Sequence, residues 1–320
     1  FIALFDFVTF NLFQYCHAKY KLLELFSSLD DVELDSIEQW ICSKAYKSDL
    51  GKKKSLLKKE DLLIKIGNTL KKILPLNAEL PSEKIVPPIV GSQADCNKYN
   101  TCHIDEFLYD EDDVEKLAEE GKIKRHYCLD CHSRNTKALT YISHSMSRQA
   151  VQYIFTVLLP KDLEEKQILD VGSRIGAVVF GAYYFSNAGT IVGVEMNKEC
   201  CDIQEQIISQ YSIDNNRLKI IHSDIMDRSD IISNTDIIVI NNPDFFIDVE
   251  IHKKLWYFLK KHVKKGSYLV SSKSVIDSLE NLGIFEEFMD WLSICKPNQQ
   301  ENEIFFDFED YCEIFLYTIN

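Results

Sequence analysis

Two short apolar runs, each closed by an acid, constrain this chain more than anything else in it. Ile168-Leu169-Asp170-Val171-Gly172-Ser173-Arg174-Ile175-Gly176 reads as a strand, an acid and a glycine-bearing turn that opens into Ala177-Val178-Val179-Phe180. Ile191-Val192-Gly193-Val194-Glu195 reads as a second strand, and its terminal acid stands 25 residues after Asp170. Glycine lets the backbone approach a bound nucleoside, and an acid at the end of the second strand accepts hydrogen bonds from both ribose hydroxyls. Asp170 precedes the turn, and the phosphate-gripping G-x-G-x-x-G is missing. The pattern therefore fits S-adenosylmethionine (SAM) better than a dinucleotide.

The surrounding sequence supports a sheet that would carry such a turn. Strands are predicted at 167–171, 190–195, 218–222, 236–241 and 266–271, with helical stretches between them. That is the βαβ rhythm of an open parallel sheet. Ile304-Phe305-Phe306-Asp307-Phe308 and the run Glu313 to Thr318 are predicted to pair as an antiparallel hairpin. A parallel sheet closed in this way is how class I methyltransferases end, unlike dehydrogenases. The expected fold is α/β, a Rossmann-like, seven-stranded methyltransferase sheet over residues 141–320.

At 320 residues and 46% hydrophobic, the chain has material for more than one domain. Residues 1–75 read as a helical module: Leu22, Leu23, Leu25 and Phe26 recur at helical spacing, and Pro75 stops the last apolar run. Pro81, Pro87, Pro88 and Gly91 mark 76–95 as a linker. The net charge of −14 disfavours indiscriminate nucleic-acid binding by the whole surface. No run of 18 apolar residues is present, so no membrane partner is expected. The chain opens on Phe1, reads as a piece of a longer protein, and gives no basis for judging targeting.

Residues 96–140 form a cysteine-rich segment. Cys96-x5-Cys102 and Cys128-x2-Cys131 are two pairs set 25 residues apart. Four thiolates suit one structural, tetrahedral zinc ion, and His103 or His132 is a substitute ligand; four plain reduced thiols are the alternative. Clustered cysteines in a large nucleotide-binding-type chain imply a reducing, intracellular setting, nucleus or cytoplasm. Asp105 to Glu120 is expected as an exposed acidic loop or helix between the knuckles. Lys122, Lys124, Arg125, His126, Arg134 and Lys137 form a basic patch suited to nucleic acid or to a protein platform.

Within the methyltransferase reading, Asp170 faces the methionine end of SAM, and Gly172 and Gly176 shape the turn. Glu195 takes the ribose diol, and Asp224, after the third strand, meets the adenine amino group. Asn241 and Asn242 end the fourth strand, at the mouth where the methyl group leaves. Arg174 stands in the middle of the usual Gly-x-Gly, so its side chain either swings to solvent or fills the methionine pocket. That residue keeps open a non-catalytic interaction protein built on the same fold.

Beyond strand four, Thr235 to Phe246 followed by Lys264-Lys265-Gly266-Ser267-Tyr268-Leu269-Val270-Ser271-Ser272-Lys273 resembles the disruptor-of-telomeric-silencing family. These are histone-lysine methyltransferases without a SET domain. The family's first motif is similar to Asp170–Gly176 except at Arg174, its second to Gly193-Val194-Glu195, and its tail to Phe315–Ile319. The resemblance covers about residues 143–319. It implies that Gly172, Glu195, Asp224 and Asn241 contact SAM, with Phe245 near the adenine or the substrate channel. It departs at Pro243-Asp244, where the family has an apolar pair. Asn242-Pro243-Asp244-Phe245 also partly resembles the Asn/Asp-Pro-Pro-aromatic motif of amino methyltransferases acting on nucleobases or glutamine amides. Either way the expectation is nitrogen methylation, with a protein lysine first and a nucleic acid or glutamine amide second. Asn241, Asp244 and Phe245 are the candidate catalytic residues, and Asp244 or a water takes the proton.

Overall fold

The apolar run Ile237-Ile238-Val239-Ile240 is buried along its whole length. Strands covered on both faces read as continuous apolar runs rather than alternating ones. A computed structural model places this run, β8 (Ile237–Ile240), at the middle of a seven-stranded sheet. The structure describes residues 15–84, 86, 89, 94, 96–97, 99–129, 135–241, 248–296, 303–306, 311 and 313–320. The other strands of the sheet are β5 (Gln167–Val171), β6 (Thr190–Glu195), β7 (Leu218–His222), β9 (Tyr268–Ser271), β10 (Leu292–Ile294) and β11 (Phe315–Ile319). Their order is β10-β11-β9-β8-β5-β6-β7. β5 to β9 are mutually parallel, and β11 runs antiparallel to both β9 and β10. From β5 the chain winds outward through β6 and β7, then returns to β8 on the other side. Ligands of open α/β sheets bind at such a reversal, beyond the carboxyl ends of the strands.

The expected closing hairpin is corrected in one strand. β11 pairs with Leu292–Ile294, in the register Leu292 to Ile319, and not with residues 304–308. Residues 303–305 make a single helical turn, and 307–308 lie outside the described residues. The aromatic side chains that suggested a strand pack sideways instead. The Phe306 ring meets Tyr153 edge-on at 5.6 Å, and Tyr311 stacks on Tyr153 at 4.6 Å.

The chain divides into two compact units, Phe1–Leu57 and Lys58–Asn320. In the first, residues 15–26 and α1 (Asp31–Cys42) are helical. Asp30 and Glu33 close a reciprocal capping box at the start of α1. The following helix, α2 (Tyr46–Leu70), runs through the boundary. Its second half is apolar on one side, with Leu63, Ile66 and Leu70 fully buried.

Between α2 and the sheet lies a small elaboration. β1 (Thr101–His103) pairs parallel with β4 (Thr140–Ile142), and β2 (His126–Cys128) pairs antiparallel with β3 (Thr136–Ala138). Asp110 caps α3 (Glu111–Glu119), whose Leu117 packs with Ile104 and Ile123 in a satellite core. The acidic stretch expected to be exposed is therefore half right: α3 is largely exposed, but Asp105 retains only 1% of its surface. α4 (Arg148–Tyr153) and α5 (Ala177–Phe185) cover the sheet near the first turn, and α6 (Lys198–Gln210) follows β6. No described helix is long and apolar enough to cross a membrane.

Candidate functional site

Three residues of the turn after β5 have left-handed backbones: Gly172 at φ +75°, Arg174 at +46° and Gly176 at +91°. This geometry aims consecutive N–H groups at the end of β6. Gly172 and Ser173 donate to the Val194 carbonyl at 2.9 and 3.2 Å, and the Arg174 N–H donates to Glu195 Oε2 at 2.8 Å. The other Glu195 oxygen accepts from Asn197 N at 2.7 Å, and Asn197 in turn caps α6. Two backbone donors thus fix the Glu195 carboxylate, and the second lone pair of each oxygen is still available to a diol. A Cβ on Gly172 would meet nothing within 4 Å, so the turn borders open space there. On Gly193 it would come within 2.8 Å of Ser173 Oγ, so β6 can approach the turn only as glycine.

Asp170 sits under this turn with 2% of its surface exposed. Burial, reinforced by the neighbouring Glu195, pushes its carboxyl up to about 8. Burial also raises Glu195. Two confined carboxyl groups favour a cationic ligand, and SAM carries a sulfonium and an ammonium group. The residues present therefore fit that cofactor: open space at a glycine, a carboxylate held by backbone donors, and a buried acid beside it.

Arg174 does not swing to solvent; it keeps only 6% of its surface. Its Nε donates to Glu83 Oε1 at 2.7 Å, and Nη1 to Asp105 Oδ2 at 2.9 Å. Nη2 reaches the Ala78 carbonyl and Glu83 Oε2. Asp105 is further held by Ser145 Oγ at 2.6 Å and by the N–H groups of Phe107 and Leu108. The stretch expected to be a linker thus delivers Ala78 and Glu83 to the cofactor turn. Sequence reasoning missed Glu83 and Asp105 as partners, because an arginine at a glycine position does not announce which acids answer it.

The other expected cofactor residues lie at neighbouring strand ends. Asp224 follows β7 and caps a short turn, accepting from Met226 N at 2.8 Å. Asn241 follows β8, donates from Nδ2 to the His144 carbonyl at 2.9 Å, and accepts from Ser272 Oγ at 2.8 Å. Asp244 and Phe245, the other candidate catalytic residues, lie outside the described residues, as do Asn242 and Pro243.

The expected zinc cluster is not seen among the described residues. Cys96 and Cys102 are half-buried and Cys128 is exposed, and these three do not come together as a ligand group; Cys131 and His132 lie outside the described residues. Among the described residues, the metal-capable side chains that converge are Glu79, His103 and His144. His103 Nδ1 stands 2.8 Å from His144 Nε2 and 3.4 Å from Glu79 Oε1. Burial, with Arg174 and His103 nearby, pushes His144 down to about 3. The basic patch is partly neutralised within itself: Lys122 pairs with Glu120 at 2.6 Å and Arg125 with Glu115 at 3.2 Å. It borders a cleft of about 1090 Å³ whose lining includes Glu106, Glu111, Asp112, Tyr109 and Tyr141.

With this geometry in place, comparison with known proteins is decisive on one point. The family described as histone methylation protein DOT1 matches residues 147–306, half of the chain. The chain belongs to this family. It is a class I methyltransferase that uses SAM. Among curated proteins none matches. Solved structures give only faint likenesses. An RNA methyltransferase from Salinibacter ruber, in complex with S-adenosyl-L-homocysteine, is 16% identical, with a TM-score of 0.32, over 40% of this chain and 76% of its own. A putative SAM-dependent methyltransferase from Streptococcus mutans is 13% identical, with a TM-score of 0.37, over 53% of this chain; the match spans 47% of its own length. An O-methyltransferase from Thermotoga maritima is 13% identical, with a TM-score of 0.37, over 56% and 66%. At this level they add nothing to the assignment.

Proposed function

We propose that this DOT1-family chain transfers the methyl group of SAM to the side-chain nitrogen of a lysine in a protein. One observation carries the cofactor half of the reading. Asp170, Glu195, Asp224 and Asn241 stand at or just beyond the carboxyl ends of β5, β6, β7 and β8, where the strand order reverses. The family match supports the acceptor half, since the family is described by histone methylation. A histone acceptor would place the protein in the nucleus.

SAM supplies an electrophilic methyl group, and the protein's task is alignment and exclusion of water. In this reading Glu195 holds the ribose diol, and Gly172 leaves room for the cofactor to lie on the turn. Asp170 faces the cationic end, whose charge favours the ionised form of this carboxyl, and Asp224 takes the adenine amino group. Asn241 is held by Ser272 and the His144 carbonyl, so its amide presents a fixed polar edge at the end of β8. The acceptor amine must be neutral to attack. Asp244 or a water takes the proton, and the family resemblance assigns Phe245 to the adenine or the substrate channel.

Tritiated SAM offered to nucleosomes, total cell protein and cell RNA tests the reading. Label in a histone or another protein, released as methyl-lysine and lost in Glu195→Ala, is the expected result. Label confined to RNA would replace lysine by a nucleobase. Binding of SAM by calorimetry with no acceptor labelled would leave an interaction protein on a methyltransferase fold.

A further inference from the structure

We propose that Glu79, His103 and His144 form a site for one divalent transition-metal ion, zinc by the chemistry of the donors, beside the cofactor turn. Three separate segments deliver the ligands. Glu79 comes from the stretch after α2, His103 ends β1, and His144 stands two residues past β4. The β1–β4 ladder pairs His103 with Ile142, which sets the two imidazoles side by side. Their ring centroids are 4.9 Å apart with planes inclined by 28°. All three donor atoms lie within 4.8 Å of one another.

The spacing is close to what an ion requires. Zinc–ligand distances of about 2.0–2.2 Å at tetrahedral angles set donor atoms about 3.3–3.5 Å apart. The His103–Glu79 distance of 3.4 Å already meets this. The His103–His144 distance of 2.8 Å is that of a direct hydrogen bond and must open by about half an ångström. Two imidazoles and a carboxylate favour zinc and its transition-metal neighbours over magnesium or calcium, which prefer oxygen.

The surrounding charge points the same way. Glu83 and Asp105 both pair with the Arg174 guanidinium, while Glu79 faces His103, so three carboxyl groups of this cluster are set against one permanent cation. A divalent cation offsets the excess of acids, and Arg174 is already committed to Glu83 and Asp105. The His144 carbonyl is also held by Asn241, which fixes the backbone that carries the ligand. Three protein ligands leave a fourth position for water or for another donor. The ion would tie the segment after α2, β1 and β4 together at the edge of the cofactor site.

Cobalt(II) titrated into the purified full chain, stripped of metal with chelator, tests this directly. The expected result is one equivalent bound, visible d–d absorption, no thiolate charge-transfer band, and displacement by zinc. His103→Ala and Glu79→Gln should each weaken cobalt binding by more than about 100-fold, while Cys128→Ser leaves it unchanged. Glu79 is partly exposed, so Glu79→Gln is the variant expected to fold normally, with circular dichroism as the check. Absence of cobalt binding by the folded chain would overturn the proposal and leave His103 and His144 as a hydrogen-bonded pair. So would a thiolate band lost in Cys128→Ser, which would return the metal to the cysteines.

Discussion

Arg174 stands in the middle of the turn where a Gly-x-Gly was expected, and its replacement by glycine has two opposed effects. Glycine would relieve a left-handed backbone, about 1–2 kcal/mol for an L-residue. It would also strand Glu83 and Asp105, both almost fully buried, without their cation. Removing one partner of a buried pair costs about 3–5 kcal/mol. The second effect is larger, so Arg174→Gly should lower the melting temperature and leave SAM affinity no better; a higher melting temperature or a gain in affinity would refute this. Asp170 makes a different test. Its folded carboxyl titrates near 8 against an ordinary value near 4, so the folded state holds a proton that the unfolded state gives up. The Asp170 contribution to stability therefore falls as pH rises from about 4 to about 8 and is constant above that. Urea unfolding of the ligand-free chain at pH 5 and pH 8 should show a smaller loss in Asp170→Asn than in the parent, and an equal loss would count against a protonated Asp170. The placement of Gly172 in the turn and of Glu195 at the strand end was legible in the sequence, because the two lie within 25 residues of each other. Glu83 and Asp105 were not, because they reach Arg174 across 91 and 69 residues.

Elements of high period were legible and short ones were not. The strands expected at 167–171, 190–195 and 218–222 match β5, β6 and β7 residue for residue. Each is five or six residues long with an apolar centre, bounded by turn residues, the clearest local signal a strand gives. β10 is three residues long, Leu292–Ile294, too short to show any period, and it exists through its ladder to β11. The aromatic run near 305 looked more like a strand than β10 does, yet 303–305 form a helical turn and Phe306 packs edge-on against Tyr153. The helix pair α4 and α5 shows how closely such elements are fitted. A Cβ on Gly181 would lie 1.7 Å from Val151 Cγ1, and Val151 is fully buried. Gly181→Ala should therefore cost about 1–3 kcal/mol by overpacking. Thermal melts of Gly181→Ala, Val151→Ala and the double variant form the check, since the added methyl occupies the space Val151 gives up. The double variant should be more stable than the sum of the two losses implies, and strict additivity would rule out the contact as the cause.

At the scale of the whole chain, the expected end of the helical module at residue 75 lies about five helical turns beyond the observed compact boundary after Leu57. The reason is visible in α2. It is one continuous helix, yet its second half serves the larger unit. Leu63, Ile66 and Leu70 have no exposed surface. Thr69 Oγ1 and the Tyr211 hydroxyl are 2.8 Å apart, and the same hydroxyl donates to the Lys65 carbonyl at 2.7 Å. Lys71 pairs with Asp113 at 2.7 Å. Hydrophobic period reports that a face is buried but not which partner buries it, so no local signal marks the boundary. A chain starting at residue 46 should keep a cooperative melt and bind SAM as the full chain does. A chain starting at residue 76 removes three fully buried leucine and isoleucine side chains, about 5–9 kcal/mol of apolar burial. That is comparable with the entire stability of an ordinary domain, about 5–15 kcal/mol. The shorter chain should be unfolded or aggregate, and should bind no SAM by calorimetry. If it instead melts cooperatively within a few degrees of the longer one, the end of α2 is an appendage, and the boundary belongs near 75 after all.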